Sequence, residues 1–328
     1  MNSGAIEIRR SRDQDRPGIV TLLRHALGWA DDNRYERLFA WKHRDNPFGA
    51  SPAWVALDGN HVVGLRILMR WQFERGSEVV HAVRAVDTAT HPEYQGRGIF
   101  TGLTRRALDE LAADGTAFVF NTPNDQSRPG YLKMGWRDVG RLPIVARLTS
   151  SLTGGLRMLR ARTAAERWSA PTTAGVAASD VLDDKEAVAQ LLAARPSSAG
   201  LRTNASPAYL AWRYASPLVD YRAMVAPGGI ARGVALFRVR QRGRARECAL
   251  DDVIVAGGSR AAVRDLVRNV TRAVDADYLV AIDPQPVAPG GLVRIPRLGP
   301  RLTWRAVTPG GMPPLAQWDL RLGDVELF

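Results

Sequence analysis

Gln95-Gly96-Arg97-Gly98-Ile99-Phe100-Thr101 sets two glycines just ahead of the residues that would open a helix, a spacing suited to holding an anion. A helix N-terminus offers unpaired backbone N–H groups and the positive end of the dipole, and glycines let a phosphate approach closely enough to use them. The flanking elements fit. Val79 to Thr90 is rich in β-branched residues, as a strand should be. Beyond the loop, Leu103, Ala107, Leu108 and Leu111 recur at helical spacing. A plain glycine turn between strand and helix has the same pattern, so the loop alone is weak evidence.

Further downstream, the short apolar strand Ala117-Phe118-Val119-Phe120-Asn121 is followed by Asn124, Ser127, Tyr131, Lys133, Gly135 and Trp136. With these residues in place, the chain from Thr90 to Trp136 resembles the GNAT superfamily of acyl-CoA-dependent N-acyltransferases. That family's pyrophosphate loop runs Arg/Gln-x-x-Gly-x-Gly/Ala, and a strand and Asn-x-x-Ala-x-x-x-Tyr-x-Lys-x-Gly-Phe follow it. Gln95, Gly98, Asn124, Tyr131, Lys133 and Gly135 fall on the pattern, Ser127 replaces Ala and Trp136 replaces Phe. The resemblance extends more weakly back to Ile6. Phe100 departs from it, standing where the family has Gly or Ala, and its ring is expected to point away from the cofactor.

The resemblance implies transfer of an acyl group, acetyl by preference, from acetyl-CoA or another acyl-CoA to the amine of a small molecule, with no metal. In that reading the backbone of Gln95, Gly96, Arg97, Gly98, Ile99, Phe100 and Thr101 holds the pyrophosphate. Thr88, Ala89 and Thr90 pair with the pantetheine arm like an added strand, Asn124 hydrogen-bonds the arm with Ser127 beside it, and Tyr131 protonates the departing thiolate. Asp87, on the strand that faces the substrate, is the candidate base, directly or through water; pairing with a neighbouring arginine accounts for it equally well. His81 and His91 are weaker candidates. Two alternatives remain: a GNAT-fold transferase that takes its donor from aminoacyl-tRNA, against which the intact loop speaks, and a non-catalytic acyl-CoA sensor or assembly protein.

At 328 residues the chain is long enough for two domains. No apolar run reaches the length of a membrane span and the start has no basic region leading into a hydrophobic stretch, so a cytoplasmic location is expected. The net charge of +12 invites nucleic acid, but it is nearly all arginine: only Lys42, Lys133 and Lys185 are lysines, and the arginines are scattered among acids. The densest basic run, Arg157-Met158-Leu159-Arg160-Ala161-Arg162, reads as part of a linker. Cys248 stands alone and is expected to be a buried thiol. The five histidines show no ligand spacing.

Element patterning gives an α+β fold: a strand at Ile6 to Arg9, helices over Asp15 to Leu27 and Asn33 to Trp41, a hairpin turning at Gly59-Asn60, the motif strand and its helix, and a last strand near Leu142 to Leu148. The second half repeats the first. Phe39-Ala40-Trp41-Lys42-His43 is echoed by Leu210-Ala211-Trp212-Arg213-Tyr214, Val63-Gly64-Leu65 by Arg232-Gly233-Val234, Asp87 by Asp252, and Thr122-Pro123-Asn124 by Asp283-Pro284-Gln285. Only Gly257-Gly258-Ser259 stands where the loop should be. The expected plan is a catalytic domain over 1–149, a linker over 150–179, and a degenerate GNAT-like domain over 180–328 with no cofactor pocket.

Overall fold

The computed structural model describes residues 5–149, 157–158, 163–283 and 289–326. They form two compact units. The first runs to Phe73, resumes over Val79–Gly140 and takes in Arg301–Pro313; the second comprises Glu74–Glu78, Arg141–Pro300 and the chain from Pro314 onward.

In the first unit, β1 (Glu7–Arg10) leads to α1 (Arg16–Leu27) and α2 (Asn33–His43), then to the strands β2 (Ala53–Asp58), β3 (His61–Arg75) and β4 (Glu78–Thr90). Next come α3 (Ile99–Ala113), β5 (Phe118–Asn121), α4 (Arg128–Lys133) and β6 (Arg137–Arg141). Local chemistry sets these bounds. Gly28 ends α1 at φ 65, a conformation that disfavours other residues, and the Asp32 carboxylate caps α2 by accepting the Arg34 N–H. The β2–β3 hairpin pairs Asp58 with His61 around Gly59-Asn60, as the dipeptide predicts. The sheet is covered on both faces. Leu103, Ala107 and Leu111 of α3 pack on Val83 and Val119, while Ile19, Leu22 and Leu23 of α1 pack on Val55, Leu65 and Ile67. Gly64 lets α3 approach, since a Cβ there would lie 2.6 Å from the Ile99 Cγ2.

The second unit contains β7 (Ile144–Leu148), β8 (Val176–Ala177), α5 (Ala178–Leu182), α6 (Lys185–Ala193), β9 (Arg202–Thr203), α7 (Pro207–Tyr214), β10 (Arg222–Val225) and β11 (Gly233–Arg242). It continues with β12 (Ala245–Val255), α8 (Arg260–Ala273), β13 (Tyr278–Ile282) and β14 (Val293–Arg294). After β15 (Arg301–Ala306), the short helix α9 (Leu322–Val325) ends the described chain. The first sheet runs β1-β2-β3-β4-β5-β15-β6 and the second β8-β10-β11-β12-β13-β7-β14. Position by position the two orders correspond, which is the duplication that the ordered sequence echoes announce. Cys248 is buried in the second core, and burial pushes its thiol pKa well up.

One strand lies elsewhere than expected. The segment near Leu142 to Leu148 does form a strand, but β7 belongs to the second sheet, antiparallel to β13 with Ile144 opposite Ile282. Its counterpart in the first sheet is β15, antiparallel to β5 with Trp304 opposite Phe120. Each unit thus takes its strand between the fifth and last positions from the other half of the chain, and the division differs from the contiguous 1–149 and 180–328. Both strands are apolar on a covered face, with Val145 1% and Trp304 4% exposed, so either sheet rewards the pairing and chain order does not dictate it. The linker also closes earlier than 179, since Ala174 is in the second core and Val176–Ala177 pairs with β10. Residues 159–162 of the basic run, and Pro284 and Gln285 of the fourth echo, lie outside the described residues.

Candidate active site

The loop between β4 and α3 is presented as its composition requires. Gly96 and Gly98 both take φ 76, and a Cβ on either would meet nothing within 4 Å. Gly98 is the N-cap of α3 and provides no side-chain acceptor for the first-turn N–H groups of Ile99, Phe100 and Thr101, which stay open to an anion. Gln95 to Gly98 are exposed. The Tyr94 hydroxyl donates to Asp58 at 2.7 Å and ties the loop to the hairpin, while Arg97 lies over the Tyr94 ring at 4.7 Å and donates to the Glu93 carbonyl. A groove of about 340 Å³ adjoins this helix end between α3 and α4, lined by Phe100, Thr101 and Thr104 and by the cations Arg105, Lys133 and Arg305.

Thr88 to Thr90 end β4. The pairing of β4 with β5 covers only Ala82–Arg84 against Phe118–Phe120, so the strands part before the loop. Ala89 is buried on the α1 face, whereas the Thr88 hydroxyl accepts from Arg66 at 3.0 Å. Asn124 is exposed; its Oδ1 accepts from both the N–H and the hydroxyl of Ser127 at 2.9 Å, leaving its amide nitrogen as the group for an outside partner. Tyr131, on α4, is 5% exposed, and its hydroxyl accepts from the Arg66 Nη1 at 2.8 Å. Phe100 turns inward. Its ring meets Tyr131 edge-on at 5.5 Å, where the hydrophobic cluster under α3 gives it more burial than the open loop side would.

Asp87 lies in a buried charged cluster. It has φ 44, a left-handed kink in β4, and its carboxylate pairs with the Lys42 ammonium and lies 2.9 Å from the His43 Nε2. The His43 Nδ1 is 3.0 Å from the Ser51 hydroxyl. Burial would raise the Asp87 pKa, but Lys42 and then His43 outweigh it and hold the carboxyl below the usual range. Burial lowers His43, and Asp87 offsets this only in part. A neutral His43 therefore donates Nε2–H to Asp87 and accepts Ser51 at Nδ1. An ionised, cation-paired carboxylate is a weak base. His81 is exposed and His91 half-buried, away from this cluster.

A model of the GNAT acetyltransferase domain matches residues 7–139. Residues 7–139 are thus similar to a GNAT acetyltransferase domain. A solved structure from Enterococcus faecalis, described as a probable N-acyltransferase, is 11% identical with TM-score 0.66, over 93% of this chain and 73% of that one. A GCN5-related N-acetyltransferase from Kribbella flavida is 18% identical with TM-score 0.61, over 93% and 71%. Eis1 from Mycobacterium abscessus is 16% identical with TM-score 0.57, over 92% and 74%. At these identities the likeness is one of fold, and it covers both units. No match is found among curated proteins.

In GNAT terms the second unit keeps the sheet and changes the loop. Gly257 and Gly258 are left-handed, but the Ser259 hydroxyl caps α8 by accepting the Ala262 N–H, which uses a donor that the first unit leaves open. The unit does hold a cavity of about 630 Å³ beside β12, whose lining includes five arginines and four aspartates, among them Arg195, Arg321, Asp252 and Asp319. Arg321 pairs there with Asp283 at 3.4 Å and Asp319 at 3.1 Å. Among the described residues no group of three His, Cys, Asp or Glu is placed to hold a metal ion, and no helix is long and apolar enough to cross a membrane.

Lys42, His43, Ser51 and Arg66 escape a motif-based reading. Two signals in the sequence point to them: Lys42 is one of three lysines, and Arg66 interrupts the apolar run Gly64-Leu65-Arg66-Ile67-Leu68-Met69.

Proposed function

We propose that the GNAT domain transfers an acyl group, acetyl by preference, from acyl-CoA to the amine of a small molecule. The observation that carries this reading is the side-chain-free N-terminus of α3 at Gly98, next to a groove with three cations whose lining includes Phe100, the ring that meets Tyr131 edge-on. Acyl-CoA supplies the thioester; the chain supplies the rest. The N–H groups from Gln95 to Thr101 hold the pyrophosphate, and Arg105, Lys133 and Arg305 supply charge for further phosphate. The open edge of Thr88 to Thr90 and the Asn124 amide receive the arm, and Tyr131 gives the leaving sulfur its proton. Asp87 enters as a water-linked acceptor for the amine's proton, since its pairing with Lys42 makes it a poor direct base.

Calorimetric titration with acetyl-CoA and, separately, with tRNA tests the donor. Thiol release in the presence of a panel of primary amines tests the transfer. Heat with acetyl-CoA and none with tRNA is expected. Binding without thiol release across the panel would favour a non-catalytic acyl-CoA sensor; heat with tRNA alone would overturn the acyl-CoA donor.

A further inference from the structure

Arg66 lies in β3 with 0% exposure, among three rings: its guanidinium carbon is 5.5 Å from the Phe100 centroid, 5.3 Å from Tyr131 and 5.8 Å from Trp136. Only Nη1 is hydrogen-bonded, to the Tyr131 and Thr88 hydroxyls; Nε and Nη2 have no partner. Among the described residues no carboxylate pairs with it. A guanidinium stays protonated in proteins, so the domain buries a cation whose charge nothing in the resting site neutralises. Such burial is unfavourable, and replacing buried charges by apolar groups is often neutral or stabilising.

We propose that Arg66 is a positioning residue for Tyr131, one that also holds the negative charge appearing on the phenol oxygen as it gives up its proton. This rests on the acyl-transfer reading above. Because the phenol oxygen accepts from Nη1, its own hydrogen points away from the guanidinium, and it is this proton that the sulfur would receive. During transfer the amine nitrogen bonds to the acyl carbon and the carbon–sulfur bond breaks, its electron pair going to sulfur. Tyr131 passes its proton to that sulfur, and the amine's surplus proton leaves through water, from which Tyr131 is later reprotonated. At the moment of proton transfer the unneutralised cation faces a phenolate, so the pair is favourable in the transition state and absent in the ground state, where stabilisation raises turnover and not binding. The three ring faces tolerate the cation meanwhile.

The test compares Arg66→Met, Arg66→Lys, Tyr131→Phe and the double variant Arg66→Met/Tyr131→Phe. Arg66→Met is expected to keep or raise the urea midpoint of the protein and to bind coenzyme A within threefold of the parent, while kcat falls about ten- to a hundredfold. Arg66→Lys should recover part of the loss. In the Tyr131→Phe background the same change should cost less than threefold, because the group it positions is gone. An undiminished loss in that background, a parent-like kcat, or a lowered midpoint that accounts for the loss would overturn the proposal and leave acyl transfer standing. If the parent itself neither binds acetyl-CoA nor releases thiol with any amine, the proposed function fails and this role with it.

Discussion

Replacing Asp87 by Asn separates structure from catalysis at the kink of β4. The Lys42 and Asp87 side chains are 2% and 11% exposed, and breaking a buried ion pair from one side typically costs about 3–5 kcal/mol, because the other charge stays behind. Asparagine keeps an oxygen for the His43 Nε2–H, so the lower end, about 3 kcal/mol, is expected. The second change, Lys42→Met, removes the other charge of the pair, and the double variant should recover most of that loss. Urea unfolding at pH 7, followed by tryptophan fluorescence, measures both. Single and double variants within about 1 kcal/mol of each other, or a single variant as stable as the parent, would refute the reasoning. Turnover then decides the role: a double variant that is stable and still transfers the acyl group makes Asp87 structural, whereas one that binds acetyl-CoA without turnover restores it as the base.

Gly98→Val should leave the fold intact, as no atom lies within 4 Å of its Cβ, but strain of about 1–3 kcal/mol at φ 76 and the added side chain should weaken acetyl-CoA binding about ten- to a hundredfold by calorimetry. His43, lowered by burial, contributes stability that is present above its unfolded value of 6.5 and lost as pH falls through and below it; the urea midpoint of His43→Gln should therefore change less than the parent's between pH 7 and pH 5. Asp324 shows the opposite sign. Burial, with Asp252 nearby, pushes it up to about 6, a penalty that grows as pH rises from 4 to 6, so Asp324→Asn should compare better with the parent at pH 7 than at pH 4.

The loop, its helix and the hairpin were legible because each depends on neighbours in sequence: Gly98 before Ile99, Leu103 a helical step from Ala107, Gly59-Asn60 between two apolar runs. The fold class followed from the same local signals doubled. Contacts between distant segments were not legible. Nothing in Ile144-Val145-Ala146-Arg147-Leu148 says which of two similar sheets it will join, since pairing is satisfied by any open strand edge. The cluster at Asp87 brings in Lys42 and His43 from the end of α2, and a neighbouring lysine and histidine, not an arginine, are its partners. Arg66 looked like an interruption in an apolar strand until three rings from α3, α4 and the turn after it closed around it.

The exchange of β7 and β15 bears on how this chain comes off the ribosome. The Thr303 hydroxyl bonds the Asn121 side chain across 182 residues, so the first sheet cannot be completed until the chain has been synthesised through β15. Contacts this far apart slow folding, and the usual vectorial order, N-terminal domain first, is closed to the molecule. Until β15 arrives, β5 presents a bare apolar edge of the kind that pairs with strangers. A nascent chain stalled before residue 301 should be a good substrate for chaperones and proteases, and the proposed acyl-transfer site should mature only after β15 has been made.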